Sequence, residues 1–443
     1  MTLRISLGVK LPYTRGVVNV EFQLNALWVM IGAILVIFMQ GGFIMLETGS
    51  TRMKNAGHVA GKTIFTIGLA AIIYWMIGWG IAYGPNGNLF IGLGDFFYNP
   101  YNSGDDLPNS VSFVFQFAFA AISLSIAWGG FAERGKLPAY LLFTIVFIAL
   151  IYPMVAHWIW GDGFLAEDGA QDFAGSTVVH LTGAMAALAA TILLKPRIGK
   201  FNKDGSANNI QGHNQVFTTL GVLILWVGWF GFNGASTLGV DDTAFFGYVA
   251  FTTLLATGAG AIVSLLTVWA LSGKADIGTM LNGTLAGLVA ITASCAFVDP
   301  WAAVVIGAIA GALVYASMRF FEKMKIDDPI YALSVHGAAG IWGTLANGLF
   351  ATEELAVNQV GVGQAGLFYG GGWKQLWVQF ESVVVCGIFA FVVSFVALLI
   401  IKALVGLRVT EEQEIMGLDL SEHGSYGYPE HMTNSGKTTG VNG

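Results

Sequence analysis

The stretch DFAGSTVVHLTGAMAALAATILL, residues 172–194, sets a carboxylate and then an imidazole into the start of an otherwise apolar run. A second stretch, DPIYALSVHGAAGIWGTLANGLF at residues 328–350, opens with an aspartate and a histidine at the same spacing. Each run is long enough to cross a hydrocarbon core of roughly 30 Å as an α-helix. Two matching Asp–His pairs in membrane-spanning runs indicate that the chain contains a duplicated unit.

The composition of the whole chain is that of a membrane protein. Of its 443 residues, 55% are apolar and 11% are charged, whereas about a quarter of the residues of a soluble protein are charged. Repeated apolar runs of about 20 residues predict helices and exclude a transmembrane barrel, whose strands alternate over about 10 residues. No basic face suits nucleic acid, and both cysteines lie inside apolar runs, which implies no disulfide framework. We therefore expect an all-α polytopic membrane protein.

The hydropathy of the chain predicts 11 transmembrane helices, which together form one domain at about residues 25–404. We place them at about 25–47, 58–84, 111–133, 137–160, 172–195, 215–237, 246–272, 278–298, 301–323, 331–350 and 378–404.

The connections between these helices alternate in charge. The even-numbered connections contain one basic residue, Lys374, and several acidic ones, such as Asp105 and Asp106. The odd-numbered connections contain Arg52, Lys54, Lys62, Arg134, Lys136, Lys195, Arg197, Lys200, Lys203, Lys274, Arg319, Lys323 and Lys325. By the positive-inside rule the amino terminus lies outside and the carboxyl terminus inside, as an odd number of helices also requires. Residues 1–24 then form an extracytoplasmic segment and residues 405–443 a cytoplasmic tail.

The two Asp–His pairs then approach each other from opposite sides of the membrane. Helix 5 begins outside with Asp172 and helix 10 begins inside with Asp328, so the two helices run in opposite directions. Eight residues of helix rise roughly 12 Å, which leaves His180 and His336 about 6 Å apart along the normal of a core about 30 Å thick. This geometry predicts an inverted 5+5 repeat with a site between its halves. The halves would be about 25–195 and 215–350, with one additional helix at about 378–404.

Each of these residues also has an ordinary structural interpretation. An aspartate at a helix start caps free backbone N–H groups, so we expect Asp172 to be mainly a cap, with an added electrostatic effect on a cation at the outer mouth. Two histidines at matched depth favour a polar pathway, because ionisable residues inside a membrane are costly and line polar routes. Metal binding is the lesser interpretation, since two imidazoles without a third ligand make a poor closed site. We expect no metal and no cofactor.

Aromatic side chains are concentrated in two other predicted helices. They lie in FVFQFAFAA at residues 113–121 and in WVGWFGFNGAST at residues 226–237, while Trp160 ends helix 4 at the outer face. Taken alone, aromatic residues at helical spacing are usually core or interfacial residues.

Taken together, the motifs resemble the ammonium transporters of the Amt/Mep/Rh superfamily, the Amt branch in particular, over nearly the whole chain. The motifs that carry the resemblance are DFAGSTVVH at 172–180, GWFGFN at 228–233, GGFAERGKLPA at 129–139, DDPIYALSVHGAAGIWG at 327–343 and VGLRVTEEQEIMGLDLSEHG at 405–424.

The resemblance implies a role for each of several residues. Trp160, Phe119 and Ser236 would form an outer recruitment site for ammonium, which Asp172 supports. Phe119 and Phe232 would stack as a gate beneath it. The pore residues would be the two histidines, with two neighbours beside the gate and pore: His180, His336, Trp229 and Gln116.

The resemblance also implies the function and the partners. Ammonium is recruited and deprotonated, and ammonia passes the twin histidines, with a separate proton transfer that makes transport electrogenic. Methylammonium is a further expected substrate. The implied protein is a homotrimer in the lipid of the cell membrane, regulated by a PII-type signal protein at its cytoplasmic face.

Three other functions are alternatives to transport. One is an ammonium sensor or transceptor that signals through a docked cytoplasmic partner. Another is a Rhesus-like channel for neutral ammonia, which the Trp160 and Ser236 match disfavours. A membrane enzyme is the least favoured, because no nucleophile or metal motif accompanies the histidines, so we expect no enzyme.

Overall fold

The structure, a computed structural model, describes residues 19–101, 107–240 and 243–430. Within these ranges it contains helices and isolated bridges but no β-strand. Nine of the helices that it describes are long and apolar enough to cross a membrane, so the prediction of an all-α, multi-pass membrane protein is confirmed. Three sequence features lie outside the described residues: the amino-terminal segment up to residue 18, the pair Asp105 and Asp106, and the tail after residue 430.

A helix lies at each position at which the sequence predicts one. The helices are α1 Val20–Ser50, α2 Met53–Tyr83, α3 Asn109–Trp128, α4 Leu137–Glu167, α5 Ser176–Leu194, α6 Gln215–Thr237, α7 Phe245–Ser272, α8 Ile277–Thr292, α9 Pro300–Lys323, α10 333–350 and α11 Lys374–Val405. The two that are not among the nine long apolar helices are α8, with 16 residues, and α10. The count of 11 membrane crossings therefore stays a prediction.

Helices α7, α8 and α9 pack closely through small residues. A Cβ atom at Gly307 would collide with the carbonyl oxygen of Ala256, and one at Gly311 would collide with that of Gly260. Since the backbones approach this closely, only glycine fits at these two positions.

Helices α5 and α10 run in opposite directions. Gln171, five residues before the start of α5, lies beside the end of α10, because Asn347 Nδ2 donates to the Gln171 carbonyl at 3.0 Å. At the other end, the Arg197 backbone N–H donates to Asp327 Oδ2 at 2.8 Å, just before α10 begins. This antiparallel arrangement is the one that the two Asp–His pairs predict.

One end of the bundle, which we call the tail face, carries a buried network of charges. The Arg197 guanidinium contacts both Asp327 oxygens at 2.8 and 2.9 Å and also pairs with Glu133. Glu133 accepts from Arg52 Nε at 3.0 Å. These residues come from the first, third, fifth and ninth connections, so four odd-numbered connections meet at one end of the bundle, as the charge alternation requires.

The tail packs on the same face of its own chain. Two short helices, α12 Glu411–Met416 and α13 Leu418–His423, follow α11. Lys54 Nζ donates to the carbonyls of Glu414 and Ile415 at 2.6 and 2.7 Å, and Arg408 pairs with Glu414 at 2.7 Å. The composition of this segment alone predicts a solvated acidic tail. Glu414 and Asp419 are nevertheless buried, because hydrogen-bond donors of the same chain satisfy their carboxylates.

Removing Arg197 is expected to destabilise the protein strongly and in a pH-dependent way. Burial raises the pKa of Glu133, but the charges of Arg197 and Arg52 and their hydrogen bonds outweigh it and bring that pKa to about 2. Burial likewise raises the pKa of Asp327, and the Arg197 contacts bring it to about 2. Because both folded-state pKa values lie below the unfolded values of about 4, this stabilisation is present above about pH 4 and is lost as pH falls towards 2.

We therefore expect Arg197→Ala to cost about 3–5 kcal/mol near neutral pH, since it takes the paired cation from buried Asp327 and one of the two cations from buried Glu133. The loss shrinks at about pH 3, where the carboxyls of the variant are protonated. Thermal unfolding of the detergent-purified protein at the two pH values measures both effects. Arg319→Gln, which removes an exposed partner of Glu322, serves as the control and should cost less than about 1 kcal/mol. An equal loss at both pH values would contradict this account.

Candidate functional site

His180 and His336 meet in the interior of the bundle. Their Nδ1 atoms lie 3.2 Å apart, and the ring centroids are 5.2 Å apart with an interplanar angle of 15°. Both side chains are buried. A hydrogen bond between two ring nitrogens requires one N–H donor and one bare acceptor, so the two neutral rings hold opposite tautomers. The other ring nitrogen of His180, Nε2, is buried with no hydrogen-bond partner among the described residues.

Both histidines lie on widened helical turns. Residues Ser176–Leu181 and Leu333–Ala338, at the starts of α5 and α10, are wound as π-helix. Such turns shift the register of a helix and leave backbone groups without their ordinary partners, and they occur frequently at functional sites. The matched turns present the two imidazoles to each other from antiparallel helices.

Aromatic rings of α3 and α6 pack in a row that begins at His180. The ring of His180 stacks on Trp229 at 5.1 Å and 15°, and on Phe232 at 5.6 Å and 25°. Phe232 contacts Phe119 with centroids 4.2 Å apart. The indole of Trp229 is held in place, because its Nε1 donates to Thr292 Oγ1 at 2.8 Å. All the phenyl and indole rings of this group except Trp160 are fully or almost fully buried.

The series ends at Trp160, which lies next to the cap of α5. The rings of Trp160 and Phe119 meet edge to face at 5.9 Å and 83°. Trp160 Nε1 donates to the Asp172 carbonyl at 2.8 Å. We use the name ring series for Trp160, Phe119, Phe232, Trp229, His180 and His336.

The Asp172 carboxylate caps α5. It accepts hydrogen bonds from the backbone N–H groups of Gly175, Thr177 and Val178 at 3.1, 2.9 and 2.9 Å. Gly175 has a φ of 111°, a conformation that residues with a Cβ atom rarely adopt. This turn occupies residues 172–175, and for that reason α5 begins at Ser176 rather than at the predicted position 172.

Asp328 is the aspartate of the second Asp–His pair, as Asp172 is of the first, but the two caps differ. One Asp328 oxygen accepts the Leu333 N–H at 2.7 Å. The other oxygen is buried and has no hydrogen-bond partner in the described part of the chain. The two Asp–His pairs are therefore alike in their histidines, which contact each other, and differ in the hydrogen bonds of their carboxylates.

Two predicted site residues lie on the helices of the ring series without a ring contact to it. Ser236 follows Phe232 by one turn of α6, and its hydroxyl donates to the Phe232 carbonyl at 2.8 Å. Gln116 precedes Phe119 by one turn of α3, and its side-chain oxygen is buried without a hydrogen-bond partner among the described residues.

Two neighbours of the ring series were missed at the sequence level. The Phe43 ring on α1 lies 6.2 Å from His336, and Thr292 orients Trp229. Nothing in the sequence separates Phe43 from the other apolar residues of its helix. For Thr292 the only available signal was a hydroxyl inside an apolar run.

Residues 27–428 match the sequence model of a family that is described as Ammonium Transporter Family. The chain is 39% identical over 429 residues to ammonium transporter Amt2 of Archaeoglobus fulgidus, with 93% of this chain and 89% of that protein covered. It is 36% identical to an ammonium transporter of Bacillus subtilis, with 90% and 97% covered.

Two solved structures are also similar to this chain. A Sensor Amt Protein superposes with a TM-score of 0.86 and 36% identity, covering 91% of this chain and 99% of that one. Mep2 of Candida albicans superposes with a TM-score of 0.83 and 27% identity, covering 94% and 93%. This chain therefore belongs to the ammonium transporter family.

Proposed function

We propose that this protein is an ammonium transporter of the cell membrane. It recruits ammonium at Trp160, Phe119 and Ser236, deprotonates it near the Phe119 and Phe232 gate, and conducts ammonia past His180 and His336. The proton crosses separately, so that transport is electrogenic. The observation that carries the proposal is the continuous ring series, which runs from a partly buried tryptophan to a directly hydrogen-bonded histidine pair.

Desolvation energies favour deprotonation over passage of the ion. A bare cation in a low-dielectric interior costs tens of kcal/mol in the idealised limit, while each cation–π contact returns about 0.5–2 kcal/mol. The aromatic rings therefore select a cation at the mouth but do not stabilise it through the buried part of the series. Neutral ammonia avoids that cost.

The histidine pair suits a small neutral molecule that both donates and accepts hydrogen bonds. In opposite tautomers the pair offers ammonia one N–H donor and one bare nitrogen acceptor. A hydrogen-bonded pair of imidazoles also passes a proton between its rings with little movement of heavy atoms, which provides a route for the separate proton transfer.

The proposal includes the topology and assembly that the sequence implies. The domain at 25–404 crosses the membrane 11 times, with residues 1–24 outside and residues 405–443 in the cytoplasm. The tail face is then cytoplasmic, which the basic residues of the odd-numbered connections support. The protein assembles as a homotrimer, binds a PII-type signal protein at this face, and also accepts methylammonium.

One of the similar solved structures favours a second function. The similarity to the solved Sensor Amt Protein supports a sensor in which bound ammonium acts on a docked partner with little flux. Uptake of isotopically labelled ammonium into proteoliposomes separates the two functions. Uptake well above that of protein-free liposomes supports the transporter, whereas specific ammonium binding without uptake supports the sensor and overturns the proposal.

Replacing Trp160 by leucine is expected to weaken recruitment. Loss of one cation–π contact of about 0.5–2 kcal/mol raises the ammonium concentration for half-maximal current by about 2- to 30-fold. Trp158→Leu is the matched control, because Trp158 contacts Phe389 and the Phe90 carbonyl and does not belong to the ring series. A half-maximal concentration that is unchanged in Trp160→Leu would remove this residue from the recruitment site.

A further inference from the structure

A buried ion pair lies inside the bundle away from the ring series. Lys62 Nζ on α2 donates to Glu47 Oε2 on α1 at 2.8 Å, and each side chain is 1% exposed. The Lys62 ammonium also lies 5.7 and 5.6 Å from the ring centroids of Trp128 and Tyr140. Charged groups inside a membrane bundle are costly and usually functional, yet the proposed conduction route does not use this pair.

The tail reaches the ion pair through direct contacts. His58 Nδ1 lies 2.9 Å from His423 Nε2 of α13, and the His58 ring meets the Tyr140 ring edge to face at 5.6 Å. Tyr140 in turn borders Lys62. Tail helix α13 is therefore connected to the ion pair through His58 and Tyr140.

The tail helix also holds the starts of the two helices that carry Lys62 and Tyr140. The Asp419 carboxylate accepts the Gly57 and His58 backbone N–H groups of α2 at 3.0 and 2.7 Å. Glu422 accepts the Leu137 N–H at the start of α4 at 3.0 Å. A displacement of α13 therefore moves α2 and α4 relative to α1.

Phe43 links the helix that carries Glu47 to the histidine pair. Glu47 follows Phe43 by four residues, so both lie on one face of α1. The Phe43 ring is 6.2 Å from His336. A shift of α1 at Glu47 thus changes the packing against His336.

The cluster around the ion pair has spare hydrogen-bonding capacity. Glu47 Oε1 and the Tyr140 hydroxyl are buried without a hydrogen-bond partner among the described residues. The Lys62 ammonium has three N–H donors and, within the described part of the chain, makes one hydrogen bond, to Glu47. The cluster can therefore exchange partners when α2 moves by a fraction of a helical turn, which is the property that a two-state element needs.

We propose that the Glu47–Lys62 ion pair couples the docking of tail helix α13 to the packing of Phe43 on His336, and so sets the conductance of the pore. The inference rests on the proposed function. It deepens that function by naming an intramembrane element through which the tail regulates transport.

A mutant cycle with the ammonium-evoked current of proteoliposomes tests the coupling. Asp419→Ala removes the two hydrogen bonds that its carboxylate accepts from the start of α2 and is expected to change the wild-type current by about fivefold or more, the usual lower range of allosteric coupling. In a Glu47→Gln, Lys62→Met background, which removes both charges together and leaves no lone buried ion, the same substitution should change the current by less than about twofold. Arg319→Gln, which breaks an exposed ion pair on the tail face, is the matched background and should keep the full response.

Two outcomes overturn the inference. If Asp419→Ala changes the current equally in the wild-type and the doubly substituted background, the ion pair does not couple the tail to the pore. If Asp419→Ala leaves the current of the otherwise wild-type protein unchanged, docking of α13 does not affect conductance. If the doubly substituted protein does not fold, Tyr140→Leu cuts the same route between His58 and Lys62, and a retained response there also overturns it. Absence of current from the wild-type protein overturns the proposed function itself, which distinguishes the two failures.

Discussion

His180→Ala combined with His336→Ala is expected to abolish the selectivity for ammonium over potassium. The two rings fill the interior between α5 and α10, and each Ala substitution removes a full imidazole from a buried site. We expect water to enter the space that the two imidazoles leave, so that hydrated cations gain a path that the intact pair closes. We expect the ratio of ammonium to potassium current in proteoliposomes to fall by about tenfold or more, equivalent to about 1.4 kcal/mol.

A different buried histidine provides the control. Both ring nitrogens of His157 lie close to backbone carbonyls, those of Ala82 at 2.9 Å and Asn88 at 2.7 Å, and the residue lies outside the ring series. His157→Gln should lower stability and leave the selectivity unchanged. Wild-type currents and wild-type selectivity in the double alanine variant would contradict the assigned role of the pair.

Asp172→Ala is expected to have the second-largest effect. It leaves three backbone N–H groups at the start of α5 without their acceptor, which costs about 2 kcal/mol or more, and it loosens the turn whose carbonyl holds Trp160. We expect a lower unfolding temperature together with an ammonium current reduced by about tenfold, a loss of about 1.4 kcal/mol of transition-state stabilisation.

Two further variants separate the cap from the charge at this position. Asparagine is also a good N-terminal cap, so Asp172→Asn should recover most of the stability, and any current still missing is then due to the lost charge. Asp276→Ala removes the cap of α8, where Asp276 accepts the Thr279 N–H at 2.7 Å, and should cost stability without lowering the current. Wild-type stability in Asp172→Ala would show that the three hydrogen bonds do not matter.

The features predictable from the sequence are those encoded by periodicity and spacing. The apolar runs predict the helices, because each run must match the thickness of the membrane. The two Asp–His spacings, with the charge alternation, predict that α5 and α10 are antiparallel and that His180 and His336 meet. The structure places the centroids of the two rings 5.2 Å apart.

The features that could not be predicted depend on how each helix is rotated and where it begins. The pairing of Glu47 with Lys62 depends on how α1 is rotated against α2, and the sequence does not reveal that rotation. The π-wound starts of α5 and α10 have no known signature in residue type. The burial of Asp419 depends on backbone N–H groups of α2, and backbone donors are present in every sequence and therefore carry no signal.

Solid-supported membrane electrophysiology with a pulse of ammonium on reconstituted wild-type protein tests the central claim most directly. The account predicts a sustained inward current that depends on ammonium and is absent when the pulse contains potassium at the same concentration. No current above that of protein-free liposomes, with the protein folded and incorporated, would contradict electrogenic ammonium transport and leave a sensor or a neutral ammonia channel.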